Sequence, residues 1–107
     1  MHCVYFVQCP NSGAIKIGTS KSLSSRLYAL SRNFPNGMLL LGALEVYPNT
    51  RKDAFAQEAE WHRRFDEDCI DGEWFVATRA LRDAITASRD MHLPYINDLV
   101  RRYSLTW

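Results

Sequence analysis

The chain lacks the run of roughly eighteen apolar residues that a membrane-spanning helix requires. Its longest such stretch, Met38-Leu39-Leu40-Leu41-Gly42-Ala43-Leu44, has the size of a strand. It also lacks a basic n-region followed by a long apolar h-region, because Met1-His2-Cys3 runs straight into strand-like sequence. The expectation is a cytoplasmic protein with no membrane partner. Charge of one sign is scarce as well: 13 basic residues against 12 acidic ones leave a formal net charge of +1. That excludes a protein holding nucleic acid by charge alone, though not a local basic surface. Cysteine is rare, and an odd set of three, Cys3, Cys9 and Cys69, argues against a disulfide framework. A zinc site from these three with His2 or His62 lacks the close CxxC pair that such sites carry, so small partly buried thiols are the better reading. There is no internal repeat and no low-complexity linker.

What is present fits one domain, since 107 residues make a single core of modest size. Cys3 to Gln8 is β-branched and aromatic and stops at Pro10-Asn11-Ser12-Gly13, so a hairpin is predicted with Ala14 to Gly18 as the return strand. Thr19 or Ser20 then caps a helix in which Leu23, Leu27 and Leu30 recur at helical spacing. A third strand spans Met38 to about Tyr47, and Pro48-Asn49-Thr50 leads into a helix from about Lys52 to Asp66. Asp71-Gly72 makes a turn before the strand-like Glu73-Trp74-Phe75-Val76. Thr78 opens a helix striped by Leu81 and Ile85, and Pro94 separates it from a last helix, Ile96 to Tyr103, carrying Arg101-Arg102.

Two groups of residues carry chemistry. Near the N-terminus, Tyr5, Lys16 and Arg26 place a phenol, an ammonium and a guanidinium in one strand-turn-strand-helix unit, a set suited to a phosphodiester. Farther on, Glu58 and His62 are four apart on a helix and therefore neighbours on one face, which Phe55 and Phe65 bracket. Each group also has a plain structural reading. Tyr5 can be an ordinary strand aromatic, and Glu58 with His62 an exposed pair worth a few tenths of a kcal/mol. Asn11, Ser12 and Lys21 are placed on turns from which they could reach a substrate.

Taken in order, Val4-Tyr5-Phe6, Lys16-Ile17-Gly18, Arg26, Glu58 with His62 and Phe65, and Gly72-Glu73-Trp74-Phe75 resemble the GIY-YIG nuclease superfamily. The likeness is to its small branch named after a coliphage open reading frame and a meiotically up-regulated gene. It covers about residues 3 to 90, which sets a nuclease-like domain at 1–90 and a C-terminal helical extension at 91–107 packed on it. The resemblance implies an α/β (α+β) sandwich, a central three-stranded, mainly antiparallel sheet flanked by helices in the order β-β-α-β-α-α. It further implies a divalent-metal-dependent endonuclease with one Mg²⁺ or Mn²⁺ held by Glu58.

In that reading Tyr5 is the general base or positions the attacking water. Lys16 favours its phenolate, because a neighbouring ammonium lowers a phenol's pKa. Arg26 offers the phosphate a planar, permanently charged fork. His62 shares proton transfer or binds the phosphate, Gly18 eases a turn or a close approach to phosphate, and Lys21 touches substrate. Glu73 and Trp74 support the site, with Trp74 and Phe75 both buried against the helix carrying Phe65. Lys16 departs from the fuller superfamily motif, which has Tyr there. The implied partner is nucleic acid, double-stranded DNA foremost, with a homodimer possible. Two other readings stay open: a nucleic-acid-binding module of the same fold without turnover, and a protein-interaction module using Trp61, Trp107 and the last helix.

Overall fold

The run Cys3–Gln8 becomes β1 and lies inside the sheet, not at its edge, because both of its faces are apolar. A computed structural model describes residues 1–34, 37–47, 49–88 and 91–104. Antiparallel neighbours flank β1 on both sides, β2 (Ile15–Ser20) and β3 (Leu39–Glu45). Two short strands, β4 (Cys69–Asp71) and β5 (Trp74–Phe75), extend the sheet beyond β2 in the order β3-β1-β2-β5-β4. The expected α+β class holds, but the sheet has five antiparallel strands among the described residues and not three. Strands of three and two residues are too short to show a period in sequence, and β4 is wholly exposed.

Among the described residues four α-helices cover the sheet: α1 (Leu23–Ser31), α2 (Arg51–Arg64), α3 (Arg79–Ala87) and α4 (Ile96–Ser104). α2 and α3 begin where side-chain oxygens can satisfy free backbone donors. Thr50 accepts from the Asp53 N–H, and Thr78 from the Leu81 N–H at 3.1 Å. α1 starts later than the sequence suggests. Thr19 and Ser20 continue β2 by pairing with Val4 and Cys3, so the helix begins only at Leu23, after Ser22.

Alternation along β1 divides the core in two. Val4 and Phe6 join Ile15, Ile17 and Phe75 against Trp61 and Phe65 of the α2 region and Leu81 and Ile85 of α3. Phe6 meets Trp61 edge-on with ring centroids 4.7 Å apart, a contact worth about 0.5–1.5 kcal/mol beyond its area. On the other face Cys3, Tyr5 and Val7 meet Leu23 and Leu27 of α1 and Leu93, Ile96 and Leu99 around α4. The described part of the extension is thus folded onto β3: the Leu93 N–H donates to the Ala43 carbonyl at 2.9 Å. His92 lies across Gly42, where an added Cβ would come within 2.4 Å of the imidazole.

Trp61 is core, only 6% exposed, and so is not the interaction surface that one reading assigns to it; Trp107 lies outside the described residues. The thiols do not gather. Cys3 is buried, Cys9 half-buried and Cys69 exposed, and no group of three or more potential metal-ligating side chains forms among the described residues. No described helix is long and apolar enough to cross a membrane.

Candidate functional site at the free edge of β2

Strand pairing sets the first part of the site. Tyr5 lies opposite Gly18 and Val7 opposite Lys16, so all four share the α1/α4 face of the sheet. The Tyr5 ring passes over Gly18. A Cβ at that position would stand 2.6 Å from the phenol oxygen and 2.7 Å from Cζ, so only glycine leaves the ring its path toward the β2 edge. This gives Gly18 a packing role besides the easier turn and the approach to phosphate expected of it. The phenol is 2% exposed and its pKa is pushed up to about 12, by burial first and then by the charge of Glu73; Arg26 opposes this and Glu58 adds to it. Glu73, Arg26 and Glu58, from a loop and two helices, therefore all act on one hydroxyl.

Lys16 does not serve the phenol as expected. Its Nζ is 2.7 Å from Glu73 Oε2 and 5.7 Å from the centre of the Trp74 ring, so the ammonium is committed to a carboxylate and an aromatic face. The pairing follows from the backbone: the Ile17 N–H donates to the Glu73 carbonyl at 2.9 Å, which fixes residue 73 beside β2. Trp74 and Phe75 then point to opposite faces, as successive strand residues must. Phe75 joins the core with Phe65 as expected, whereas Trp74 stays half-buried on the other side, 6.0 Å from Phe34.

α2 supplies the second part. His62 bonds through Nε2 to the Ile17 carbonyl at 3.1 Å and meets Phe75 edge-on at 4.9 Å. A carbonyl only accepts, so Nε2 carries the hydrogen. The histidine is thus satisfied by β2, and not by Glu58 as the plain structural reading has it. One turn earlier Glu58 is half-buried. Its pKa is raised, by burial first and then by the charge of Glu73; His62 and Lys16 act in the opposite sense. Two carboxylates therefore face one another at the edge, with an ammonium on one of them.

The exposed Arg26 of α1 acts on Tyr5 and also lines a cleft of about 310 Å³. Lys21 lies on that cleft. The sequence reading did not place Arg51 or His2 there, nor Phe55 as a cleft wall. The spacing of Arg51, Phe55, Glu58 and His62, four, three and four residues, was the available signal for Arg51 and Phe55.

A small α+β domain whose polar side chains converge where a sheet edge is left uncovered is the class that fold and site define. The family profile of the T5orf172 domain matches residues 2–92, from β1 to beyond the end of α3. The chain belongs to the T5orf172 domain family. No curated protein and no solved structure matches it.

Proposed function

We propose that the chain is a divalent-metal-dependent endonuclease of the GIY-YIG type, hydrolysing phosphodiester bonds in DNA. The observation that carries this reading is the meeting of Tyr5, Lys16, Arg26, Glu58 and Glu73 around one stretch of β2 edge. Phosphodiester hydrolysis gathers negative charge on the phosphate and on the leaving oxygen, and needs an oriented water.

The donor set fits a hard cation. Glu58 presents a carboxylate whose pKa is raised by burial and then by repulsion from Glu73, and positive charge held there would relieve both costs. Glu58 would hold Mg²⁺ or Mn²⁺; when bound, such an ion would offset charge on the phosphate and make water more acidic.

The remaining roles fall to the chain's own groups. With a pKa near 12, Tyr5 is a neutral phenol at physiological pH and thus a hydrogen-bond donor that orients water, not the general base. Glu73 is the carboxylate left to take the water's proton, and Lys16 holds it in place at 2.7 Å. Arg26, exposed on α1, offers its fork to the phosphate. His62, by bonding to Ile17, locks α2 and therefore Glu58 in register with β2. A single site of this kind nicks one strand at a time, so double-strand cleavage calls for a second copy or a second event.

Supercoiled plasmid incubated with the protein tests the reading. Nicking is expected with Mg²⁺ or Mn²⁺, none with chelator, and none by Glu58→Ala; equal nicking by that variant would sink the assignment. One observation favours a second reading, a nucleic-acid-binding module without turnover: Lys16 is engaged by Glu73 where the fuller motif has a tyrosine. Salt-sensitive DNA binding without any nicking is its signature.

A further inference from the structure

The cleft beside the site is built from three elements and from His2, just before β1. The end of β2 contributes Thr19 and Ser20, α1 and the turn before it contribute Arg26 and Lys21, and the first turns of α2 contribute Arg51 and Phe55. Its charge is of one sign. No carboxylate lines it, and Lys21, Arg26 and Arg51 enter no ion pair among the described residues. Phe55 is 47% exposed at its wall although the core has no use for it, and the Arg51 guanidinium lies 5.3 Å from its ring centre. Thr19 and Ser20 of the cleft follow directly on Gly18, over which the Tyr5 ring passes, so the cleft adjoins the site along β2.

Cations without acidic partners suit a phosphate, and an aromatic ring joined to a guanidinium plane is a platform on which a base stacks. Size narrows the occupant. About 310 Å³ is at the small end of ligand pockets and is room for one nucleotide. A paired base cannot lie on Phe55, because its faces are covered by its neighbours in the duplex.

We propose that this cleft seats one unpaired nucleotide adjoining the phosphate to be cut, its base on the Phe55–Arg51 platform and its phosphate between Lys21 and Arg26. The preferred DNA is then one with an unpaired nucleotide at the cut, such as a short flap, and not uniform duplex. Which phosphate is cut rests on the nuclease reading; the binding preference does not.

The test is therefore binding in chelator, by fluorescence anisotropy, to a duplex oligonucleotide and to the same duplex bearing a one-nucleotide flap of 2-aminopurine. Wild type is expected to bind the flap about tenfold or more tightly than the duplex, with quenching of the 2-aminopurine as it stacks. Phe55→Leu, a helix-compatible change at an exposed position whose folding is checked by its melt, should erase the preference and the quenching. Lys21→Gln should weaken binding to both DNAs and reduce the salt slope by about one. Equal affinity for the two DNAs, a preference that survives Phe55→Leu, or no binding to either would overturn the inference. A Phe55-dependent preference without nicking in Mg²⁺ would support it while removing the nuclease reading.

Discussion

The two ends of β2 are finished differently. At Ile15 and Lys16 the outer edge is taken by β5, whose Phe75 and Trp74 pair with them and whose Phe75 fills the core. From Ile17 onward no strand follows among the described residues. A side chain, His62, takes the Ile17 carbonyl, and the edge beyond opens on Tyr5, Glu58 and the cationic cleft. Strand pairing would have covered this edge with backbone; its early end leaves room for side chains from both faces to meet. The closed end holds the sheet together, and the open end is where chemistry is possible.

Five substitutions can break that contrast. The largest effect is expected at the closed end, where Phe75→Ala should cost about 3–5 kcal/mol in denaturant unfolding by removing a buried ring from the core. A loss as small as that of a surface change would mean β5 does not anchor the sheet. Next is Gly18→Ala, which should cost about 1–3 kcal/mol by overpacking against Tyr5. Adding Tyr5→Leu should recover part of it, a coupling that a double-mutant cycle reads directly. Simple additivity would contradict the passage of the ring over Gly18. His62→Ala should cost about 1 kcal/mol, the worth of one hydrogen bond to a backbone carbonyl, and should slow cleavage as Glu58 loses its register. The smallest effect is in the pH profile. Glu73 raises the pKa of Glu58, so Glu73→Gln should bring Glu58 down and move the acid limb of divalent-cation binding to lower pH. An unmoved limb would show that the two carboxylates do not interact.

The sequence made the closed parts of this contrast easier to read than the open ones. β1, β3 and the helix stripes were legible because long apolar patterns announce buried faces, and the caps Thr50 and Thr78 were visible beside them. The strand-like Glu73-Trp74-Phe75-Val76 announced β5, but its place in the sheet and β4 altogether were not legible, since two or three residues carry no period and depend on partners distant in sequence. The residues of the candidate site could be named, but their pairings could not. Lys16 meets Glu73, 57 residues away, only because the Ile17 N–H bonds to the Glu73 carbonyl. For the same reason the direction of the Tyr5 shift was misread: one neighbouring ammonium suggested a lower pKa, whereas burial and Glu73 raise it. The crossing of Tyr5 over Gly18 needed the strand register, which a single sequence does not display.

The central claim is that the open end of β2 carries a carboxylate kept for chemistry at some expense of stability. Glu58 has a raised pKa in the fold, so the stability linked to its protonation is present below its unfolded pKa and lost as pH rises through the folded one. At neutral pH its charge is therefore a liability to the folded state. The most direct measurement is the plasmid nicking rate of Glu58→Gln with Mg²⁺ at neutral pH, taken with its melting temperature. The account predicts nicking by wild type, a loss of at least about a hundredfold in the variant, and a melting temperature no lower than wild type's. Undiminished nicking by Glu58→Gln, or no nicking by a folded wild type, would contradict it.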